Sequence, residues 1–183
     1  MKTELHCTSD VFQKVRNHVL QNDDEQAGFM FLSYTADSVG HRFIVNDYYL
    51  VQKPELVGDN AYHIELAEET FSRMIVKAAK EQAVLCEVHS HPLSDKGVKF
   101  SGSDFYGFKE CVPHIWWRLG KRPYLAIVFG QSDIDALVWC QSPEHPSKVD
   151  RIVLDNNHFI KPTQRSIKLL KETHEKWGRY DRI

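Results

Sequence analysis

Apolar residues recur at helical spacing in three segments of the chain. In the first, Thr8 can cap a helix that places Val15 and Val19 on one face. In residues 66–82 an apolar stripe runs beside charged positions, and residues 163–177 repeat this pattern near the end of the chain. Each segment therefore predicts an amphipathic helix that packs one face against a core.

Shorter apolar segments between these helices predict β-strands. Residues 27–34 are apolar on both faces, which is typical of a buried central strand, and residues 83–91 are similar. Residues 53–60 are predicted to form a loop. A helix is predicted to begin near Ser103 and to be limited by Pro113, which lacks the amide hydrogen that a helix interior uses. Further strands are predicted at residues 40–51, 61–65, 124–130, 134–140 and 151–155.

The order of these elements predicts an α/β fold. Helices are interspersed with strands without the strict alternation of a doubly wound sheet, which favours a mixed α/β layer. No repeat, low-complexity segment or linker divides residues 1–183, so we expect a single domain. A length of 183 residues, with 42% hydrophobic and 26% charged residues, is that of an ordinary globular domain with a sizeable core.

Charge and cysteine content exclude several functional classes. Lys plus Arg number 23 against 25 for Asp plus Glu, a balance that gives no electrostatic indication of binding to nucleic acid or an anionic membrane. No apolar segment approaches the roughly 20 residues of a membrane span, and the first residues lack a signal peptide's apolar region. The 4 cysteines are scattered without a Cys-x-x-Cys pair. We therefore expect an enzyme or adaptor of the reducing cytoplasm.

The end of the predicted strand at residues 83–91 carries candidate metal ligands. Because side chains alternate along a strand, His89 and His91 leave the same face about 6.6 Å apart. Two neutral imidazoles at that spacing can bind one zinc ion, and Pro92 ends the strand beside them. The pair alone is a weak signal, since chance supplies about half a His-x-His match in a chain with this histidine content.

A Ser-x-x-Asp segment shortly downstream strengthens the hypothesis. Ser101 and Asp104 frame this segment, whose chance frequency at such a distance is only a few per cent. Asp104 is expected at the start of a helix, where the helix dipole favours a carboxylate. Three ligands, His89, His91 and Asp104, would leave a fourth position for water, as in catalytic zinc sites. The alternative is that a serine caps the helix and the histidines are ordinary polar residues.

Two glutamates are candidates for accepting a proton from water. Glu87 shares the face of His89, where it is either a carboxylate beside the ligands or a ligand itself. Glu25 directly precedes the central strand, and Gly28 allows close backbone approach there.

Three motifs occur in a characteristic order along the chain. Glu25-x-x-Gly28, then His-Ser-His-Pro at residues 89–92, then Ser101-x-x-Asp104 resembles the signature of the JAB/MPN (JAMM motif) zinc metallopeptidase family. The compact domain is most similar to stand-alone prokaryotic-type JAB domains. This resemblance implies a curved mixed β-sheet flanked by helices, with one Zn²⁺ per chain.

The resemblance also implies roles for individual residues. His89, His91 and Asp104 correspond to the zinc ligands, Glu25 to the general base that holds the zinc-activated water, and Ser101 to the donor that binds the developing oxyanion. Catalytic members of the family cleave isopeptide or peptide bonds after the C-terminal glycine of ubiquitin or a ubiquitin-like protein. The implied activity is deubiquitinase-like deconjugation or precursor processing.

The resemblance suggests partners and also leaves alternatives. The expected substrate is the C-terminal tail of a ubiquitin-like protein, and E1-like and E2-like enzymes of the same conjugation or antiphage operon are expected partners. One alternative is a non-catalytic MPN scaffold. Another is a zinc peptidase that processes a sulfur-carrier protein or a small peptide.

Two departures from the family pattern affect the site. Residues 92–100 form a loop of nine residues before Ser101, longer than is usual in the family, which raises Asp95 as a rival to Asp104 for the metal. Glu87 stands where the family usually has a large or aromatic residue. It therefore lies near the zinc or marks a buried salt bridge.

Overall fold

A nine-stranded mixed sheet organises the fold. The structure, a computed structural model, describes residues 1–60, 63–155 and 158–177. The strands within these ranges are β1 (Lys2–His6), β2 (Ala27–Ala36), β3 (Gly40–Leu50), β4 (Leu56–Asn60), β5 (His63–Leu66), β6 (Val84–Ser90), β7 (Tyr124–Phe129), β8 (Ile134–Trp139), β9 (Ser147–Lys148), β10 (Arg151–Val153) and β11 (Phe159–Ile160). The helices there are α1 (Ser9–Val19), α2 (Glu68–Lys80), α3 (Gly102–Arg118) and α4 (Arg165–Trp177).

The large sheet has the strand order β11-β10-β1-β3-β2-β6-β7-β8-β9. Strand β2 pairs antiparallel with β3 and β6, while β6 and β7 run parallel. The sheet curls into a half-barrel with helices against it, and β4 and β5 form a separate hairpin. The predicted mixed α/β fold with a curved sheet flanked by helices is therefore confirmed.

The helices cover two apolar cores. Helix α1 packs Val15 and Val19 into one core, as their spacing predicted. Helices α2 and α3 contribute Met74 and Phe108, among others, to the second core. None of the described helices combines the length and the apolar character needed to cross a membrane.

Two parts of the prediction were wrong where the local sequence gives a weak signal. Strand β1 was not predicted because only Thr3 and Leu5 are buried along it, so its pattern is short and polar. The predicted loop at residues 53–60 instead holds a 3₁₀ turn and β4. The predicted strand at residues 61–65 begins outside the described residues and continues into β5.

Helix α3 continues through Pro113, which the sequence predicted would limit it. Pro113 lies on the exposed face, where water can bind the backbone carbonyl of Lys109 that proline leaves without its helical donor. On the opposite face Val112 and Ile115 are buried in the core. Burial of these apolar side chains extends the helix to Arg118 despite the proline.

Glu4 connects β1 to β10 through a network of basic side chains. Its Oε1 accepts hydrogen bonds from Arg151 at 2.8 Å and 2.7 Å, and lies 2.9 Å from Lys2 Nζ. Its Oε2 lies 3.1 Å from His6 Nε2. Burial by itself raises the pKa of Glu4, but the contacts with Lys2, His6 and Arg151 outweigh it and lower that pKa to about 2.

The Glu4 network predicts a pH-dependent contribution to stability. Because the carboxylate is favoured in the folded state, Glu4→Gln should lower the free energy of unfolding by about 2 kcal/mol at pH 7. This difference should shrink as pH falls from about 4.5 towards about 2, as the wild-type carboxyl becomes protonated. Urea denaturation at several pH values measures it, with the exposed Glu110→Gln as control. A difference that persists at the lowest pH would contradict the prediction.

Candidate metal centre

His89, His91 and Asp104 meet beside one end of β6. His89 lies near the end of β6, His91 directly follows the strand, and Asp104 lies in the first turn of α3. The two imidazole rings have centroids 5.1 Å apart. Asp104 Oδ2 lies 3.3 Å from His91 Nε2 and 3.6 Å from His89 Nε2. One ligand atom from each residue lies within 4.8 Å of the other two, as binding to a single ion requires.

The start of α3 sets the orientation of Asp104. The Ser101 backbone N–H donates to Asp104 Oδ2 at 2.6 Å, and the Asp104 N–H donates to Ser101 Oγ at 3.2 Å. Ser101 Oγ also lies 2.8 Å from Ser103 Oγ. This reciprocal capping fixes the oxygen that faces the two histidines, so Ser101 caps the helix and at the same time aims the carboxylate.

The loop at residues 92–100 is fastened to neighbouring elements. The N–H of Val98 donates to the Asp133 carboxylate at 3.1 Å, and the N–H of Gly97 donates to the same carboxylate. The Thr163 hydroxyl donates to the Val98 carbonyl at 2.8 Å. These bonds secure the loop to the turn between β7 and β8 and to the residues before α4.

Asp95 is exposed in this loop and is not part of the cluster, whereas Asp104 lies beside the two histidines. In the part of the chain that the structure describes, His89, His91 and Asp104 are the one cluster of potential ligands with this proximity. The geometry therefore brings together the trio that the Ser-x-x-Asp spacing favoured.

Strand pairing places Glu25 beside the trio. The antiparallel pairing of β2 with β6 continues past β2, since the Gln26 N–H donates to Ser90 Oγ and the Ser90 N–H donates to the Gln26 carbonyl, both at 3.1 Å. This register sets Glu25 opposite His91. Glu25 is only 9% exposed, and its Oε1 lies 3.6 Å from His91 Nε2.

Glu87 contacts His89 from the other side of the ring. Its Oε1 lies 3.7 Å from His89 Nδ1, and its Oε2 accepts a hydrogen bond of 2.5 Å from the Tyr124 hydroxyl. Glu87 is therefore a carboxylate beside a candidate ligand, one of the alternatives that the sequence left open. Tyr124 was not predicted from the sequence, because only the parallel pairing of β6 with β7 brings it to Glu87.

The electrostatics of the cluster favour positive charge at the histidines, from a proton on His89 or from a bound cation. Burial lowers the pKa of His89, but the carboxylates of Asp104 and Glu87 outweigh burial and raise that pKa to about 10. Burial raises the pKa of Asp104, yet contacts with His89 and His91 hold that pKa far below its ordinary value. A buried, ionised carboxylate is stable only beside positive charge.

The donor atoms fit a zinc ion. His89 Nε2 is buried without a hydrogen-bond partner, although it points towards Asp104. Buried polar atoms are almost always satisfied, and binding to a metal ion would satisfy this nitrogen. Two imidazole nitrogens and one carboxylate oxygen form a ligand set that zinc accepts.

A groove of about 350 Å³ opens beside the ligands. Its lining comes from β2, β5, β6, α2 and α3: Ala27, Gly28, Phe29, Glu65, Leu66, Glu68, Phe71, Glu87, Val88, His89, Ser103, Asp104, Gly107, Phe108 and Cys111. A Cβ at Gly28 would lie 3.1 Å from the Tyr49 carbonyl oxygen, so a larger residue there would crowd β3. The groove thus joins an apolar surface to the metal ligands.

The aromatic residues and cysteines that the sequence also suggested are not members of the metal cluster. Of the aromatic residues at positions 105, 108, 116 and 117, Phe108 lines the groove, whereas Trp117 is 73% exposed elsewhere on α3. Cys86 is buried on the other face of β6, as strand alternation predicted. Burial strongly raises the pKa of the Cys111 thiol, which disfavours the thiolate that a nucleophile needs.

Comparison with known proteins shows the fold alone. No family model matches the chain, and no curated protein matches it. The solution structure of protein DSY2949 from Desulfitobacterium hafniense is similar, with a TM-score of 0.53 and 13% sequence identity. The similarity covers 84% of this chain and 98% of that one. At this identity it supports a shared architecture and carries no function.

The trio predicts binding of about one zinc ion per chain. His89→Ala and His91→Ala should lose the metal, because the remaining ligands are too few to hold it against a chelator. Asp104→Asn should also weaken binding while it retains an acceptor for the Ser101 N–H. Elemental analysis after dialysis measures these losses. Asp95→Ala is the control, and zinc loss in that variant with retention in Asp104→Asn would overturn the assignment.

The capping geometry predicts that the Ser101 hydroxyl contributes to stability but not to metal retention. Ser101→Ala should lower the free energy of unfolding by about 1 kcal/mol, because the Asp104 N–H loses its acceptor. Zinc should stay bound, since the backbone N–H of Ser101 still orients Asp104. Urea denaturation and metal analysis test both parts, with Ser101→Thr as the control that keeps a hydroxyl. Loss of zinc in Ser101→Ala would contradict this account.

Proposed function

We propose that this protein is a zinc-dependent isopeptidase or peptidase that cleaves after the C-terminal glycine of a ubiquitin-like protein. The observation that supports it most is the convergence of His89, His91 and Asp104 within 4.8 Å. Glu25 adjoins His91, and His89 and Asp104 line a groove. Because these motifs resemble those of the JAB/MPN metallopeptidases, we infer hydrolysis of a peptide or isopeptide bond as the reaction at this metal site.

His89, His91 and Asp104 would hold the zinc ion. Three protein ligands leave a coordination position open, which is typical of catalytic and not of structural zinc sites. A zinc ion there supplies Lewis acidity towards water and towards the scissile carbonyl.

Glu25 would move the proton. It is nearly buried, and it lies on the His91 side of the cluster, where it can accept a proton from water and pass it to the leaving amine. Since water is the nucleophile in this scheme, the protein forms no covalent intermediate.

Ser101 would stabilise the developing oxyanion. Its Oγ accepts a hydrogen bond from the Asp104 N–H, and its own hydrogen is free for the oxyanion when the Ser103 hydroxyl is the donor in the contact between the two serines. A donor held in place before the reaction stabilises negative charge without reorganisation.

The groove supports an extended peptide tail as the substrate. Its wall includes Glu65 and Leu66 of β5, and in the described chain β5 pairs only with β4. The free edge of such a strand can bind an extended segment by backbone hydrogen bonds. In an extended conformation, a flexible tail that ends in glycine is narrow enough to pass beside the metal ligands.

We place this activity in the reducing cytoplasm, together with E1-like and E2-like partner enzymes. All 4 cysteines are free thiols, two of them buried, which suits a compartment that does not form disulfides. The partner enzymes follow from the family resemblance.

Cleavage of tail fusions tests the proposed reaction. Fusions bearing ubiquitin-like and sulfur-carrier C-terminal tails are incubated with the zinc-loaded protein, and products are located by mass spectrometry. We expect cleavage after the terminal glycine that stops with a chelator and returns with zinc. Glu25→Gln should retain zinc but lower kcat by about 10²–10⁴-fold, because it cannot accept a proton.

A neighbouring carboxylate provides the control. Asp23→Asn alters an exposed residue of the same segment and should cleave at the wild-type rate. Full activity in Glu25→Gln would remove Glu25 as the base. A protein that binds no zinc and cleaves no fusion would favour the scaffold, whereas cleavage restricted to sulfur-carrier tails would favour that alternative substrate.

A further inference from the structure

We propose that Glu87 and Tyr124 form a positioning pair that holds His89 in the ring orientation and tautomer that metal binding requires. This inference rests on the proposed zinc site. It assigns a function to Glu87, whose place in the site the sequence left undecided.

Strand geometry brings the three side chains to one face of the sheet. Glu87 and His89 are two positions apart on β6, so both point to the same side. The parallel register aligns Glu87 with Ala126 of β7, and Tyr124, two positions before Ala126, shares that side. Tyr124 is fully buried, and its hydroxyl donates to Glu87 Oε2. The pair is therefore built into the sheet and does not depend on a loop.

The contact with Glu87 selects one tautomer of the imidazole. An ionised carboxylate is only an acceptor, so the His89 nitrogen facing it, Nδ1, carries the hydrogen. In the neutral form of the ring, which is the form that binds a metal, the lone pair then lies on Nε2, the buried nitrogen without a hydrogen-bond partner that faces Asp104. Metal-binding histidines usually donate their second ring N–H to a carboxylate or carbonyl in this manner.

The separation of 3.7 Å between His89 Nδ1 and Glu87 Oε1 is an ion-pair distance, longer than a hydrogen bond. A movement of under about 1 Å by the ring or the carboxylate would close it. Because Tyr124 holds the other carboxylate oxygen, Glu87 is restrained and can in turn restrain the ring.

Other functions for Glu87 fit the geometry less well. Its nearer oxygen faces Nδ1 of His89, on the side of the ring away from Asp104, so it does not complete the trio as a ligand. Glu25, in contrast, adjoins His91 Nε2, a nitrogen that also faces Asp104, and is better placed as the base. Glu87 therefore acts through His89.

Zinc affinity measures this function without any need for a substrate. Competition with a chromogenic chelator gives the zinc Kd of the wild type, Glu87→Gln, Glu87→Ala and Tyr124→Phe. We expect the two Glu87 variants to bind zinc about 10–100-fold more weakly. Tyr124→Phe, which removes a single hydroxyl, should show a smaller loss in the same direction. Glu110→Gln, on an exposed position of α3, should bind as the wild type does.

Spectroscopy separates positioning from a general effect on folding. In zinc-loaded protein with ¹⁵N-labelled histidine, His89 should show a protonated Nδ1 whose signal shifts and exchanges faster in Glu87→Gln. The absorption bands of the Co²⁺-substituted protein should shift in the same variants. Thermal unfolding of the metal-free proteins identifies a variant that does not fold. If Glu87→Ala does not fold, the test of the positioning pair rests on Glu87→Gln and Tyr124→Phe.

The outcomes distinguish this inference from the function on which it rests. Wild-type zinc affinity and spectra in both Glu87→Gln and Tyr124→Phe, together with zinc loss in His89→Ala, would overturn the positioning pair and leave the zinc site intact. A wild type that binds no zinc would overturn both. Weakened zinc binding in the Glu87 variants, with no cleavage of any tail by the wild type, would support the pair and remove the peptidase.

Discussion

The antiparallel pairing of β2 with β6 is the contact on which the candidate site depends. It sets Glu25 opposite His91 at the place where the two strands separate, and hydrogen bonds between Gln26 and Ser90 extend the pairing to that point. A shift of one residue in this register would turn the side chains of β6 to the other face of the sheet. The same backbone bonds that build the sheet therefore assemble the site.

The start of α3 couples stability to chemistry in a similar way. Asp104 Oδ2 accepts the Ser101 N–H and also faces both histidines, so the bond that caps the helix aims the carboxylate. Buried opposite charges are costly unless their hydrogen bonds are satisfied, and His89 retains one nitrogen without a partner. The cluster is thus satisfied only in part by the protein itself, as expected for a site that binds a cation.

Prediction from sequence succeeded where the physical signal was local and failed where it was distant. Strand alternation placed His89 and His91 on one face, and the capping segment placed Asp104 at a helix start. The same local reasoning ended α3 too early at Pro113, because the burial that extends the helix comes from the core. The function of Glu87 could not be predicted from the sequence, because Tyr124, its hydrogen-bond partner, is 37 residues away along the chain.

The amino-acid sequence by itself determined which segments are amphipathic, which faces of them are apolar, and which polar residues stand at the ends of elements. These properties depend on neighbours within a few positions, because side-chain periodicity and helix capping act over one or two turns. Tertiary structure alone decided which strands are neighbours and in what register, since backbone hydrogen bonds between strands do not depend on which side chains the paired residues have. That choice placed Glu25 beside His91 and Tyr124 beside Glu87.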